Sequence, residues 1–178
     1  MEDGRRFSAH MQKVLNGAKE EVQQLQDRSM GSEHLLLAML RLPGCTAVEI
    51  MGNFDVSTMR TKELLMQKIW TVERTENLQK NSTLLPSAHL DISPDAHAVV
   101  LLAAAEAHVM GQSCIGTEHL LLGFLRESEG LAGKVLRELG LELEACRAEV
   151  MDDFMRHETD DDGEDEEETL QFHRGKND

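Results

Sequence analysis

Apolar residues recur along this chain with a helical period, and the stretches that carry it come in pairs. In "FSAHMQKVLNGAKEEVQQLQ", residues 7–26, Val14, Leu15, Ala18, Val22 and Leu25 share one face, which predicts a long amphipathic helix beginning near Phe7. "ISPDAHAVVLLAAAEAHVMG", residues 92–111, predicts a second, with Ser93 placed to cap it, Pro94 at its first position and Gly111 at its stop. A leucine block follows each, "MGSEHLLLAMLR" at 30–41 and "IGTEHLLLGFLR" at 115–126. Helices so short and so rich in leucine are expected to be central and buried on most sides. Ser32 and Thr117 stand where an N-cap is needed, with Glu33 and Glu118 opening the first turn.

The two leucine blocks lie 85 residues apart, and sliding the whole sequence by that amount brings Phe7 onto Ile92, Ser8 onto Ser93, Val14 onto Val99 and Glu21 onto Glu106. Downstream, "GLAGKVLRELGLELEACRAEVMDDFM" predicts a short third helix ending near Gly140 and a fourth from about Glu142. The first half answers with "TAVEIMGNFDVSTMRTKELLMQKIWTV", where Ala47 and Ile50 take the places of Ala132 and Val135. The prediction is therefore an all-α protein of two tandem, pseudo-symmetric four-helix repeats, at about 5–75 and 92–156. Between them "ENLQKNSTLLPSAHLD", at 76–91, lacks a sustained period and contains Pro86, so it reads as a linker with room for an extended piece.

Composition supports helices over strands: aromatics are 3% of 178 residues, so Leu, Val, Ala and ten Met must fill the core. Met30, Met39, Met51 and Met59 fit either core filling or an adaptable peptide-binding surface. The net charge of −15 argues against nucleic-acid and membrane partners. That charge is uneven, with twelve acids against three bases from Asp152 onward. Residues 157–178 are expected to form an acidic disordered tail, either merely solvated or serving as a docking or autoinhibitory segment. No apolar run approaches the ~20 residues of a membrane span. Cys45, Cys114 and Cys146 are odd in number without CxxC spacing, which fits a reducing cytoplasm. The scattered histidines give no metal-ligand pattern, so neither metal nor cofactor is expected.

Two copies of Gly-[Ser/Thr]-Glu-His-Leu-Leu-Leu, together with "RFSAHMQKVLNGAKEEV" and "IGTEHLLLGFLRESEGLAGKVLRELGL", resemble the Clp repeat over about residues 6–152. This is the N-terminal, substrate-receiving domain of the Clp AAA+ unfoldases, especially the ClpC type. The second copy is nearer the family pattern; the first has "RLPGCTAVEIM" where the second has "RESEGLAGKVL", and Ser32 in place of Thr. No GxxxxGK[ST] segment is present, so ATP hydrolysis by that family's machinery is not expected. The material reads as a free-standing Clp N-domain protein or an excised domain, and the acidic tail favours the former.

For ClpC-type domains the resemblance implies two equivalent pockets for phosphorylated arginine, with Glu33 and Glu118 at the guanidinium and Ser32 and Thr117 beside them. A carboxylate accepts paired N–H bonds from a guanidinium, while helix-terminal amides or cations receive the phosphate. The plainer role for these acids is to complement the helix dipole, by ~0.3–1 kcal/mol, with no ligand. Arg5 and Arg6 are candidate anion contacts or simply exposed, and His34 and His119 read as structural residues. No nucleophile constellation is apparent, so no catalytic residue is assigned. The expected role is non-catalytic binding of degradation-marked proteins or adaptors in Clp proteolysis. The alternatives are an accessory subunit docking on the Clp unfoldase or peptidase, or a decoy that sequesters N-domain ligands.

Overall fold

The computed structural model describes residues 6–76 and 91–161. In the first repeat β1 (Arg6–Phe7), α1 (Ala9–Leu25), β2 (Ser29–Met30), α2 (Ser32–Arg41), α3 (Thr46–Asn53) and α4 (Thr58–Glu76) follow one another. The second repeats the series as β3 (Asp91–Ile92), α5 (Pro94–Val109), β4 (Cys114–Ile115), α6 (Thr117–Arg126), α7 (Leu131–Glu138) and α8 (Leu143–Asp161). Every element starts 85 residues after its twin and, the last turn of α5 apart, ends so too. Even the left-handed residues that stop the third helices coincide, Asp55 at φ 58° and Gly140 at φ 93°.

Phe7, expected to open the first helix, is extended instead, as is Ile92 ahead of the cap expected and found at Ser93. The helices begin two residues later, after Ser8 and Ser93, whose hydroxyls accept from Met11 N at 3.1 Å and Ala96 N at 3.4 Å. The preceding residues form two-residue parallel strands that cross between the repeats. Arg6 and Phe7 pair with Cys114 and Ile115, while Ser29 and Met30 pair with Asp91 and Ile92. Each crossing continues into the cap, with Ser8 N donating to Ile115 O and Ser93 N to Met30 O, both at 3.0 Å.

The leucine-rich helices α2 and α6 are the centre of the core: Leu35, Leu36, Met39, Leu120, Leu121, Leu122 and Phe124 are fully buried. Each packs against the long helix before it. A Cβ on Gly123 of α6 would lie 2.5 Å from the Val99 carbonyl oxygen of α5, so a bare α-carbon is what lets these backbones approach so closely. A buried acid ties each pair: Glu21 of α1 meets Arg41 of α2, and Glu106 of α5 meets Arg126 of α6 at 2.9 Å. Glu106 also accepts from Arg147 of α8 at 2.8 and 3.0 Å. Met30, Met39 and Met51 are core residues, whereas Met59 is exposed.

Helix α4 reaches Glu76 and α8 reaches Asp161, five residues into the segment assigned to the tail. The rest of that tail, the linker from 77 to 90, and Arg5 lie outside the described residues. No single helix among the described residues is long and apolar enough to cross a membrane.

Candidate functional site

The mouth of each leucine-rich helix is built by three consecutive residues. Gly31 and Gly116, not Ser32 and Thr117, hold the N-cap positions, with extended backbone at φ −91° and −101°. Capping falls to the histidine three residues on: His34 Nδ1 accepts from Gly31 N at 2.9 Å and His119 Nδ1 from Gly116 N at 3.0 Å. That bond fixes the neutral tautomer, leaving Nε2 as the donor. His34 Nε2 donates to Asp27 Oδ2 at 2.9 Å. His119 Nε2 is buried without a partner among the described residues, its ring stacked on Phe154 of α8 with centroids 5.8 Å apart.

Capping by the ring frees the hydroxyls of Ser32 and Thr117, and both are used across the repeat boundary. Ser32 Oγ accepts from Ala132 N at the start of α7, and Thr117 Oγ1 from Ala47 N at the start of α3, each at 3.4 Å. Assigning these residues as caps of their own helices is thus corrected: each caps the third helix of the opposite repeat. Every mouth is consequently composite, with two helix N-termini converging on it, α2 with α7 and α6 with α3.

Glu33 and Glu118 fold back over the cap glycines. A Cβ at Gly31 or Gly116 would come within 2.2 or 2.0 Å of the carboxylate, so glycine here makes room for the acid. Both side chains keep a solvent-facing part, 22% exposed for Glu33 and 14% for Glu118. Their electrostatics diverge. Burial pushes the Glu33 carboxyl up, and Asp95 and Asp27 add repulsion that its own backbone N–H does not offset. Burial also works against Glu118, yet its carboxyl lies below the ordinary range, its charged form favoured by its own N–H and the Thr117 hydroxyl.

Arg6 is exposed on β1, in register with Cys114 of β4, the strand that leads into α6. Asp27, Glu33 and His34 bring three potential metal ligands within 4.8 Å of one another. Both His34 nitrogens are already engaged there, Nδ1 by Gly31 N and Nε2 by Asp27, so the ring has no lone pair to offer an ion. Residues that sequence reasoning left out are Asp95 and Glu127, which reach the α2 and α7 mouth from the other repeat; Ser32 N donates to Asp95 Oδ2 at 3.1 Å. The offset of 85 could have found them, because their twins are His10 and Leu42.

The family model of the Clp repeat (R) N-terminal domain matches residues 6–139 and 91–174. The chain is 34% identical over 146 residues to the chaperone protein ClpB of Oceanobacillus iheyensis, covering 82% of this chain and 17% of that protein. It is 32% identical over 157 residues to the negative regulator of genetic competence ClpC/MecB of Bacillus subtilis, covering 86% of this chain and 18% of that protein. It thus spans under a fifth of these relatives' length. The N-terminal domain of the chaperone ClpD from Arabidopsis thaliana has the same fold, with a TM-score of 0.55 at 19% identity, covering 84% of this chain and 97% of that one.

Proposed function

We propose that this chain, which belongs to the Clp repeat (R) N-terminal domain family, is a non-catalytic receptor for arginine-phosphorylated proteins or their adaptors in Clp-dependent proteolysis. The supporting observation is the mouth of α6: the Glu118 carboxylate is held over Gly116, ionised and partly open, at a helix N-terminus. Such a mouth offers an acceptor for the guanidinium beside backbone donors for its phosphate. The proposed setting is the cytoplasm, where the family's unfoldases and adaptors would be its partners. Calorimetric titration with a phosphoarginine peptide tests the reading. Saturable binding lost in Glu118→Ala supports it, and an unchanged isotherm in that variant rejects the site.

A second reading, docking on an unfoldase or peptidase ring, is favoured by one feature. Met59 and Trp70 are 68% and 66% exposed, eleven residues and so about three turns apart on one side of α4. Pull-down with Clp unfoldase and peptidase subunits tests it: retention of neither, or retention undiminished in Trp70→Ala, removes it.

A further inference from the structure

The two mouths differ in what already occupies their helix N-termini. In the first, Ser32 N, the opening amide of α2, donates to Asp95 Oδ2 at 3.1 Å, and Asp95 belongs to the first turn of α5. At α7, Glu127 Oε1 accepts from Glu129 N at 2.9 Å and Glu127 Oε2 from Gly130 N. Glu127 Oε2, Ser32 Oγ and Asp95 Oδ2 all lie within 3.3 Å of the point where a Gly130 side chain would begin. Two carboxylates and a hydroxyl therefore fill one small space. Although burial opposes its charge, Asp95 is held below the ordinary carboxylate range by the Ser93 and Ser32 hydroxyls and the Ser32 and Ala96 amides. The amides that an incoming phosphoryl group would use are engaged by resident anions.

The duplication supplies the comparison. Position for position, Asp95 is replaced by His10 in the other repeat, Glu127 by Leu42 and Asp27 by Gln112. None of these twins brings a carboxylate to the mouth of α6 and α3. The first mouth thus gathers Asp27, Glu33, Asp95 and Glu127, and a phosphate carrying about two negative charges meets repulsion there. The second has Glu118 as its sole acid among these four positions.

We propose that the copies are unequal: Asp95, with Glu127 beside it, is an intramolecular anion that closes the Glu33 mouth to phosphorylated ligands, so the chain takes one phosphoarginine, at Glu118. This rests on the phosphoarginine reading for its ligand, and the experiment separates the two. The full chain is titrated with a phosphoarginine peptide, following stoichiometry by calorimetry and the amide resonances of Ser32 and Thr117 by NMR. We expect one ligand per chain, a shift at Thr117 but not Ser32, and no binding in Glu118→Ala. Replacing the resident anions by their twins, Asp95→His with Glu127→Leu, should raise the count to two and make the Ser32 amide respond.

Two ligands per wild-type chain, or binding through Ser32 that survives Glu118→Ala, overturns the inference and leaves the phosphoarginine reading standing. A folded double variant that still takes one ligand overturns the role given to Asp95 and Glu127. Should that variant not fold, the wild-type count and Glu118→Ala still decide. No binding by any variant ends the phosphoarginine reading, and the inference with it.

Discussion

Replacing Gly116 by Ala separates the position of the Glu118 carboxylate from the integrity of the fold. The backbone at Gly116, φ −101° and ψ −179°, is extended and open to any L-residue, so alanine introduces no dihedral strain. Its Cβ would meet Glu118 Oε1 at 2.0 Å and Cδ at 2.4 Å. Contact at roughly 3.5 Å is the closest that is comfortable, so the carboxylate must retreat by about 1.5 Å, which a rotatable side chain beside solvent can do. Stability should change little. The entropy removed from the unfolded chain is worth about 0.4–1 kcal/mol in favour of Ala, and a poorer N-cap costs a similar amount. The melting temperature should stay within about 4 °C. Binding should suffer more, because a carboxylate displaced that far loses its charge-assisted bonds to a guanidinium, about 1.5–3 kcal/mol or a 10- to 150-fold rise in Kd. Calorimetry with a phosphoarginine peptide beside thermal unfolding reads both numbers. An unchanged Kd would refute the placement of the ligand at Glu118. A fall in Tm well beyond 4 °C would show that Gly116 serves the backbone, not the acid. Gly31→Ala carries the same clash, at 2.2 Å from Glu33, and should leave binding unaltered if the first mouth is closed.

Three further outcomes are expected. Ser32→Ala and Thr117→Ala each remove a hydroxyl that caps a helix of the opposite repeat; bonds of 3.4 Å place the loss at the lower end, about 0.5–1 kcal/mol each by chemical denaturation. An effect below detection in both would mean the crossed caps are not formed. The Glu106 carboxyl is held below its ordinary 4.5, first by its hydrogen bonds to Arg147, so its contribution is complete above about pH 5 and lost as pH falls through the lower folded value. Glu106→Gln should therefore be less stable than the parent at pH 7 and converge with it in acid; a gap independent of pH from 7 to 2 contradicts this. His34→Phe breaks two bonds, whereas His119→Phe breaks one and removes an orphaned donor while keeping a ring against Phe154. The first should be costlier by about 1 kcal/mol in denaturant unfolding, and the reverse order would count against the tautomers assigned.

Helix positions and the duplication were legible in the chain because they rest on signals repeated over many residues: the 3.6 period in α1, the Ser93-Pro94 start of α5, the leucine blocks of α2 and α6. The strands were not, since two residues such as Arg6–Phe7 carry no alternation, and their partners lie in the other repeat. Ser32 was misplaced for an instructive reason. A hydroxyl residue before a helix is the usual cap, but here His34 fills that role from inside the first turn, a substitution visible only once the ring is seen over Gly31. Glu33 and Glu118 stand out in the sequence because they repeat. Asp95 and Glu127 were overlooked because they do not, which is also why they distinguish the copies.

The crossed construction bears on what the unit of function is. Each strand pair takes one strand from each repeat, and each third helix is capped by a hydroxyl from the opposite leucine-rich helix. Glu118 therefore faces a mouth whose second wall, the N-terminus of α3, belongs to the first repeat. The departure of "RLPGCTAVEIM" from its twin consequently lies at the mouth of the second acid, not the first. Likewise the second repeat supplies Asp95 and Glu127 to the mouth of Glu33. A change in one repeat thus alters the mouth in the other, and this lets a duplicated fold differentiate its two mouths. One copy keeps the acceptor and helix-terminal donors, while the other fills its donors from within, without either four-helix body losing its core.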